Sequence, residues 1–264
     1  MYIHNLNPIL VDFGFIAIRW YSLAYIFGIL IGWWIGKKIL FFKTISKKPV
    51  NNIEFDDLIS YIIIGMIIGG RLGYVLFYNF SFYLKNPSNI FMVWEGGMSF
   101  HGALLGVVCA TYYFAKIKKI ETLLLLDIIA CVAPVGLFLG RIANFINAEL
   151  YGKPSEFFWS VIFPSIDNIS RHPSQIYEAL LEGMLLFVIL IYIIYKKNYS
   201  TGVCAFLFLI LYGFFRIIAE QFREPDLQIG YVFGSISMGS LLSAIMIICG
   251  FILLIKIKKN VFTQ

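Results

Sequence analysis

Long apolar runs alternate with short polar or basic connections along this chain of 264 residues. A membrane-crossing helix needs roughly 20 mostly apolar residues. Seven runs qualify, at 15–36, 57–78, 98–115, 122–142, 175–195, 202–221 and 233–255. The pattern therefore predicts an all-α integral membrane protein of seven transmembrane helices, packed as a single polytopic domain over residues 1–264. One interruption differs. The segment from Tyr151 to Arg171 contains FFWSVIFPS, a short β-like stretch, and predicts a small extracytoplasmic excursion between spans four and five.

Composition agrees with a lipid solvent: 60% of residues are apolar, 14% are charged, and the mean hydropathy is +0.83. The first fifteen residues carry neither Lys nor Arg, so a cleaved signal peptide is not expected and the first run stays as a helix. Cys109, Cys131, Cys204 and Cys249 all lie in apolar runs without metal-ligand spacing, which makes them packing residues.

The net charge of +6 would suit nucleic acid, but its distribution argues otherwise. Lys37, Lys38, Lys43, Lys47 and Lys48 follow span one, Lys116, Lys118 and Lys119 follow span three, Lys196 and Lys197 follow span five, and Lys256, Lys258 and Lys259 follow span seven. The other connections hold Lys85, Lys153, Arg171 and Arg223. By the positive-inside trend the lysine-rich set faces the cytoplasm, so the N-terminus is outside and the C-terminus inside. No basic stripe with interleaved aromatics is left over for nucleic acid.

Arg19, Arg71, Arg141 and Arg216 fall inside the apolar runs. A cation there is costly unless it faces the bundle, a cavity or an anion. Spans two, four and six run outward and carry their arginines more than about 20 Å from the inner boundary of a core about 30 Å thick. Arg19 begins span one, so all four belong to the outer leaflet. A guanidinium fork matches phosphate or carboxylate, and a phospholipid headgroup is the nearest abundant phosphate. Helix-locking ion pairs are the competing explanation, with Glu220 four residues after Arg216 and Glu149 eight after Arg141. The reading favours a phosphate-holding role for Arg141 and Arg216 and leaves Arg19 and Arg71 evenly balanced. The fragments GGRLGY and GRIANF resemble each other, and a shared helix-packing use of glycine accounts for that at least as well as a repeat.

Polar motifs cluster at the same side. GGMSFHG places His101 in the first turn of an inward-running helix, where the helix dipole disfavours imidazolium and a neutral ring can accept a proton. GRIANFINAELYGK gathers Arg141, Asn144, Asn147, Glu149 and Gly152, with Asn144 at i+3 from Arg141. RHPSQIYEA starts span five, with Pro173 suited to a first turn and Ser174 to a cap, which leaves His172 a weaker base than His101. At the end of span six, Arg216 and Glu220 are expected buried and Arg223, Glu224 and Asp226 solvated. No cluster has metal-ligand spacing, so neither metal nor cofactor is expected.

Taken in order, RWYSLAY at Arg19 to Tyr25, GGRLGYVLFYN at Gly69 to Asn79, GGMSFHG, GRIANFINAELYGK, RHPSQIYE and FFRIIAEQFREPD resemble the bacterial prolipoprotein diacylglyceryl transferases, from about Arg19 to Met246. The resemblance implies transfer of the diacylglyceryl group of phosphatidylglycerol to the cysteine thiol of a lipoprotein precursor, at the lipobox of its signal peptide. It implies a thioether product, release of glycerol phosphate, and a place in the bacterial inner membrane with the active site near the outer leaflet. The positions matching the family's functional residues are Tyr21, His101, Arg141, Asn144, Glu149, Gly152, Arg216 and Glu220. On this reading Arg141 and Arg216 hold the lipid phosphate, His101 serves as base, Tyr21 joins the catalytic group, and Asn144 and Glu149 meet headgroup hydroxyls or position an arginine. The chain departs from the family's pattern where Ala103, Ala143 and Ala148 replace glycines, and where SMGSLLSAIM at Ser237 to Met246 lacks the usual Gln and Pro.

Three rivals share some of these features. A transporter or flippase of an anionic lipid would also want arginines at one leaflet, but it predicts a gated path to both faces, and no arginines stand near the inner ends of the spans to match. A lipid phosphatase needs a nucleophile or an acidic metal pair. A lipid-binding scaffold is separated from an enzyme only by an activity assay.

Overall fold

The computed structural model describes residues 2–14, 17–42, 52–196, 200–225, 230–233 and 236–262. Lys43, Lys47, Lys48, Lys197 and Asp226 lie outside the described residues. Among the described residues, seven helices are long and apolar enough to cross a membrane. They are α1 (Trp20–Phe42), α2 (Asn52–Phe77), α4 (Phe100–Lys118), α5 (Thr122–Ile146), a fifth span over Ser174–Ile194, α8 (Val203–Glu220) and α9 (Met238–Phe262), with a short α3 (Phe80–Lys85) between the second and third spans. The fifth span consists of α6 (Ser174–Glu178), a π-helical turn (Ala179–Leu185) and α7 (Leu186–Ile194).

The predicted runs and the helices agree to within a few residues except at the first, at the second, whose helix starts at Asn52, and at the last, where strands at Tyr231–Phe233 and Ile236–Ser237 precede a helix over Met238–Phe262. At the first, residues Ala17–Arg19 form a strand, β3, antiparallel to β2 (Ile9–Asp12), and the helix begins only at Trp20. Arg19 is therefore an exposed strand residue outside the first helix. Apolarity set the predicted start too early because a β-ribbon in this region is as apolar as a helix.

By its contacts the chain forms two compact units, Met1–Gly36 with Asp127–Gln264, and Lys37–Leu126. In the larger unit, α1 approaches α5 so closely that a Cβ on Gly28 would lie 3.0 Å from the Gly136 Cα. Helices α8 and α9 meet likewise at Gly213, where a Cβ would lie 2.8 Å from the Ser243 carbonyl. Without a hydrophobic drive between helices in lipid, such small-residue contacts supply the packing.

The excursion between α5 and α6 supplies two strands of a three-stranded sheet. β4 (Val161–Ile162) pairs in parallel with β1 (Tyr2–Ile3) and antiparallel with β5 (Ser170–Arg171). Its small core is Ala148, Val161 and Phe163, against which Phe145 and Tyr151 pack. His4, from the N-terminal segment, lies 2.8 Å from the Phe145 carbonyl and packs its ring on Phe145 and Phe163, tying the start of the chain to the end of α5.

In the smaller unit, α2 and α4 cross through glycines on both sides. A Cβ on Gly69 would lie 2.8 Å from the Gly106 Cα, and one on Gly73 would lie 2.7 Å from the Gly102 Cα. The packing explanation of GGRLGY holds, but not for GRIANF, since Gly140 faces open space. Arg71 is buried and turns its guanidinium onto backbone carbonyls: Nε donates to Ile90, Nη2 to Asn89 and Met92, and Nη1 to Gly96 and Gly97. It organises the connection between α3 and α4, which is neither the lipid contact nor the carboxylate pairing weighed from the sequence.

Candidate functional site

The intramembrane arginines of the larger unit meet carboxylates. On α5, Arg141 places Nη1 2.8 Å from Glu178 Oε2 and Nη2 3.1 Å from Glu182 Oε2. On α8, Arg216 places Nη1 2.9 Å from the same Glu178 oxygen and 3.4 Å from Glu182 Oε1, and Nη2 pairs with Glu220. Arg223 approaches Glu178 Oε1 to 3.7 Å. The network thus holds three guanidinium groups and three carboxylates from the fourth, fifth and sixth spans and the segment after α8. A charge so placed needs partners of opposite sign, and each of these has at least one.

Two expectations change here. The carboxylates nearest Arg141 are Glu178 and Glu182, not Glu149, because the fifth span and not the end of α5 packs on that face of the helix. Arg223 is buried rather than solvated, because the segment after α8 turns back along the excursion: Lys153 donates its amide to the Phe222 carbonyl, and Glu224 donates its own to Tyr151. Glu224 then pairs with Arg171, while Glu220 is buried as expected and accepts a hydrogen bond from Ser237 at 2.9 Å.

Glu178 and Glu182 escaped the sequence reading, although the argument that singled out the arginines applies equally to carboxylates inside an apolar span. They sit at i and i+4 across the π-helical turn, and both are fully buried. The turn also seats Gly183 against α5, where a Cβ would lie 2.6 Å from that of Phe138. π-Helical turns recur at functional sites, since the widened backbone re-aims side chains. Tyr212, fully buried on α8 within electrostatic range of both glutamates and both arginines, completes the surroundings.

A second polar group lies along α5. The helix continues to Ile146, so Asn144 shares the face of Arg141 as predicted. Asn144 and Asn147 each donate a side-chain hydrogen bond to Glu149, at 3.1 and 3.3 Å. Glu149 is exposed. Ala148 and Leu150, on either side of it, have φ near +55°, so the chain turns sharply there in a backbone region that glycine adopts more readily. Tyr21 lies on α1 with its hydroxyl 3.4 Å from that of Tyr25, and Tyr25 is near enough to Arg141 and Glu149 to feel their charges.

Gly152 sits in a strand-like segment between two others. Its amide donates to the His172 carbonyl, it forms a bridge with Arg223, and a Cβ would lie 2.7 Å from the Phe222 carbonyl. The residue must be glycine for backbone reasons, whatever else it contacts. Arg171 braces the same place, donating to the Gly152 carbonyl at 3.1 Å and to Asp167 Oδ2 at 2.6 Å. The Arg171 hydrogen bond holds the Asp167 carboxyl below the usual range.

His172 is engaged by the excursion. Its Nδ1 lies 3.1 Å from the Tyr177 hydroxyl, which also accepts from Trp159 Nε1 at 2.6 Å. Burial, with a smaller contribution from Lys153, holds its pKa below the ordinary value. Ser174 does not cap its helix as expected; its hydroxyl donates instead to the Leu150 carbonyl at 2.9 Å.

His101 belongs to the smaller unit. It stands in the first turn of α4, as predicted, two residues after Ser99, whose hydroxyl accepts from the Gly102 amide and caps the helix. Its ring meets Phe100 edge-on. Among the described residues no cluster of His, Cys, Asp or Glu could hold a metal ion.

A sequence model of the family described as Prolipoprotein diacylglyceryl transferase matches residues 8–256. A relative from Rickettsia bellii (strain OSU 85-389), named phosphatidylglycerol--prolipoprotein diacylglyceryl transferase, is 50% identical over 264 residues, covering 98% of each chain. Relatives of the same name from Rickettsia typhi and Rickettsia felis are 48% and 52% identical, covering 98% and 93% of this chain and 100% and 95% of their own.

Proposed function

The chain belongs to the prolipoprotein diacylglyceryl transferase family, and from that premise we propose how its residues carry the reaction. It is a transferase that moves the diacylglyceryl group of phosphatidylglycerol to a prolipoprotein, the first step of lipoprotein maturation. The acceptor is the lipobox cysteine of the precursor's signal peptide, the membrane is the bacterial inner membrane, and the site opens to the outer leaflet.

One observation carries the residue assignment: Arg141 and Arg216 meet on shared, fully buried carboxylates. A guanidinium has five N–H donors, so carboxylate contacts on one edge leave donors for a phosphate on another. The two arginines hold the lipid phosphate. The cysteine sulfur attacks the glyceryl carbon, the S–C bond forms as the C–O bond breaks, and the electron pair leaves with glycerol phosphate. Negative charge grows on the phosphate during that step, so guanidinium contacts that strengthen with it lower the barrier.

A free thiol has a pKa of about 8.5 and needs a base to react quickly near neutrality. His101 accepts its proton; the position in the first turn of α4 supports a neutral ring. Asn144 and Glu149 meet the headgroup hydroxyls or hold Arg141 in place. Tyr21, its hydroxyl beside that of Tyr25, joins the catalytic group, and Gly152 and Glu220 complete the binding surface.

The test uses the purified chain in detergent, glycerol-labelled phosphatidylglycerol, and a peptide bearing the precursor cysteine beside the same peptide with serine. Label is expected on the cysteine peptide alone. Lipid binding without transfer would move the reading to a transporter or a binding protein.

A further inference from the structure

The Glu178 carboxylate bridges the two arginines through a single oxygen, at shorter distances than the other carboxylate that spans them. Its Oε2 accepts from Arg141 Nη1 at 2.8 Å and from Arg216 Nη1 at 2.9 Å, while its Oε1 faces Arg223 at 3.7 Å. Two guanidinium groups on different helices thus converge on one oxygen. Left to themselves they would repel, the more strongly because the carboxylates between them are fully buried. Glu182 spans the same pair with its two oxygens, one to each arginine.

We propose that Glu178 is a positioning residue for the transfer reaction, the bridge that holds Arg141 and Arg216 at the spacing needed to grip one phosphate. The proposal rests on the transferase reading. A single phosphate has to be met by both forks at once, and the gain from orientation is lost when either fork drifts by about an ångström. Glutamine keeps the shape but not the function, because its single acceptor oxygen comes with an NH2 group that opposes the guanidinium donors. Aspartate keeps the charge and loses the reach. The role is indirect: Glu178 acts through the arginines, and its effect vanishes when they no longer matter.

That last property distinguishes positioning from general support of the fold. The experiment measures kcat and KM for labelled phosphatidylglycerol with the cysteine peptide, using the full chain in detergent as wild type, Glu178→Gln, Arg141→Ala and the double variant. Glu178→Gln is expected to lower kcat/KM on the order of 100-fold. In the Arg141→Ala background the same change is expected to cost less than about 3-fold, because interacting residues give non-additive losses. Transfer by Glu178→Gln within about 3-fold of wild type, or losses that multiply, would overturn the proposal. If Glu178→Gln does not yield folded protein, Glu178→Asp takes its place in the same cycle, and wild-type transfer by that variant would overturn it. A wild-type chain that transfers nothing would sink the transferase premise itself, and the proposal with it.

Discussion

The Asp127 carboxylate on α5 accepts hydrogen bonds from the amides of Gly202, at 2.5 Å, and Ala205, at 2.7 Å, and so caps α8 from another helix. Asp127 is fully buried, and the amides it meets are among those that the first turn of a helix leaves without partners. The α8 helix carries Arg216 and Glu220, so the cap fixes the start of an element whose far end bears the ionic network. Asp127→Ala is expected to lower stability by about 2 kcal/mol, from a lost cap and buried amides left unpaired. Thermal unfolding in detergent measures it, and a variant as stable as wild type would show that water or another group replaces the carboxylate.

Arg71 makes its contacts with main-chain carbonyls along a loop that has no regular helix longer than a 3-10 turn. Arg71→Lys keeps the charge but offers one ammonium in place of a planar fork, so several of those carbonyls lose their donor. Protease sensitivity between residues 86 and 97 is expected to rise at least about tenfold, which corresponds to a local opening easier by about 1.4 kcal/mol. Unchanged cleavage would assign the order of the loop to other contacts.

His101 and Arg141 separate binding from chemistry. His101→Gln is expected to keep phosphatidylglycerol binding while slowing transfer about 100-fold or more, as for loss of a general base. Arg141→Ala should weaken both, because the phosphate contact exists before the transition state and strengthens within it. Binding by the labelled lipid and single-turnover transfer give the two readouts, and near-normal transfer by the His101 variant would remove it from catalysis.

Acid should loosen the excursion in two stages. His172 has a folded-state pKa below its ordinary 6.5, held there first by burial and then by Lys153. The unfolded segment therefore takes up the proton first, and stability declines as pH falls below about 6.5 toward the folded value. Asp167 is depressed below 3.8 by its hydrogen bond to Arg171. Its contribution is present above that value and is lost as pH falls through the lower, folded one. Hydrogen exchange across residues 151–172, referred to intrinsic rates, is expected to rise in these two windows. His172→Phe should abolish the first rise and Asp167→Asn the second; a first rise that survives in His172→Phe would assign it to another group.

Apolar run length alone set the number of spans and most of their ends, because lipid forces the backbone to pair within each segment and leaves the helix as the economical solution. The same physics marked Arg141 and Arg216 as residues in need of an anion, and placed His101 in the first turn of α4. What answered the arginines was decided elsewhere. Glu178 and Glu182 lie more than thirty positions from either arginine in the chain, and only the packing of the fifth span on α5 and α8 brings the charges together. Arg223 was expected in water because local sequence describes a polar segment, whereas pairing with Gly152 and its neighbours folds that segment inward. Arg19 was placed in a helix because a short strand next to a span has no apolar signature of its own. Local pattern reports the cost of leaving a group unpartnered; the identity of the partner depends on contacts between segments distant in the chain, which only tertiary structure selects.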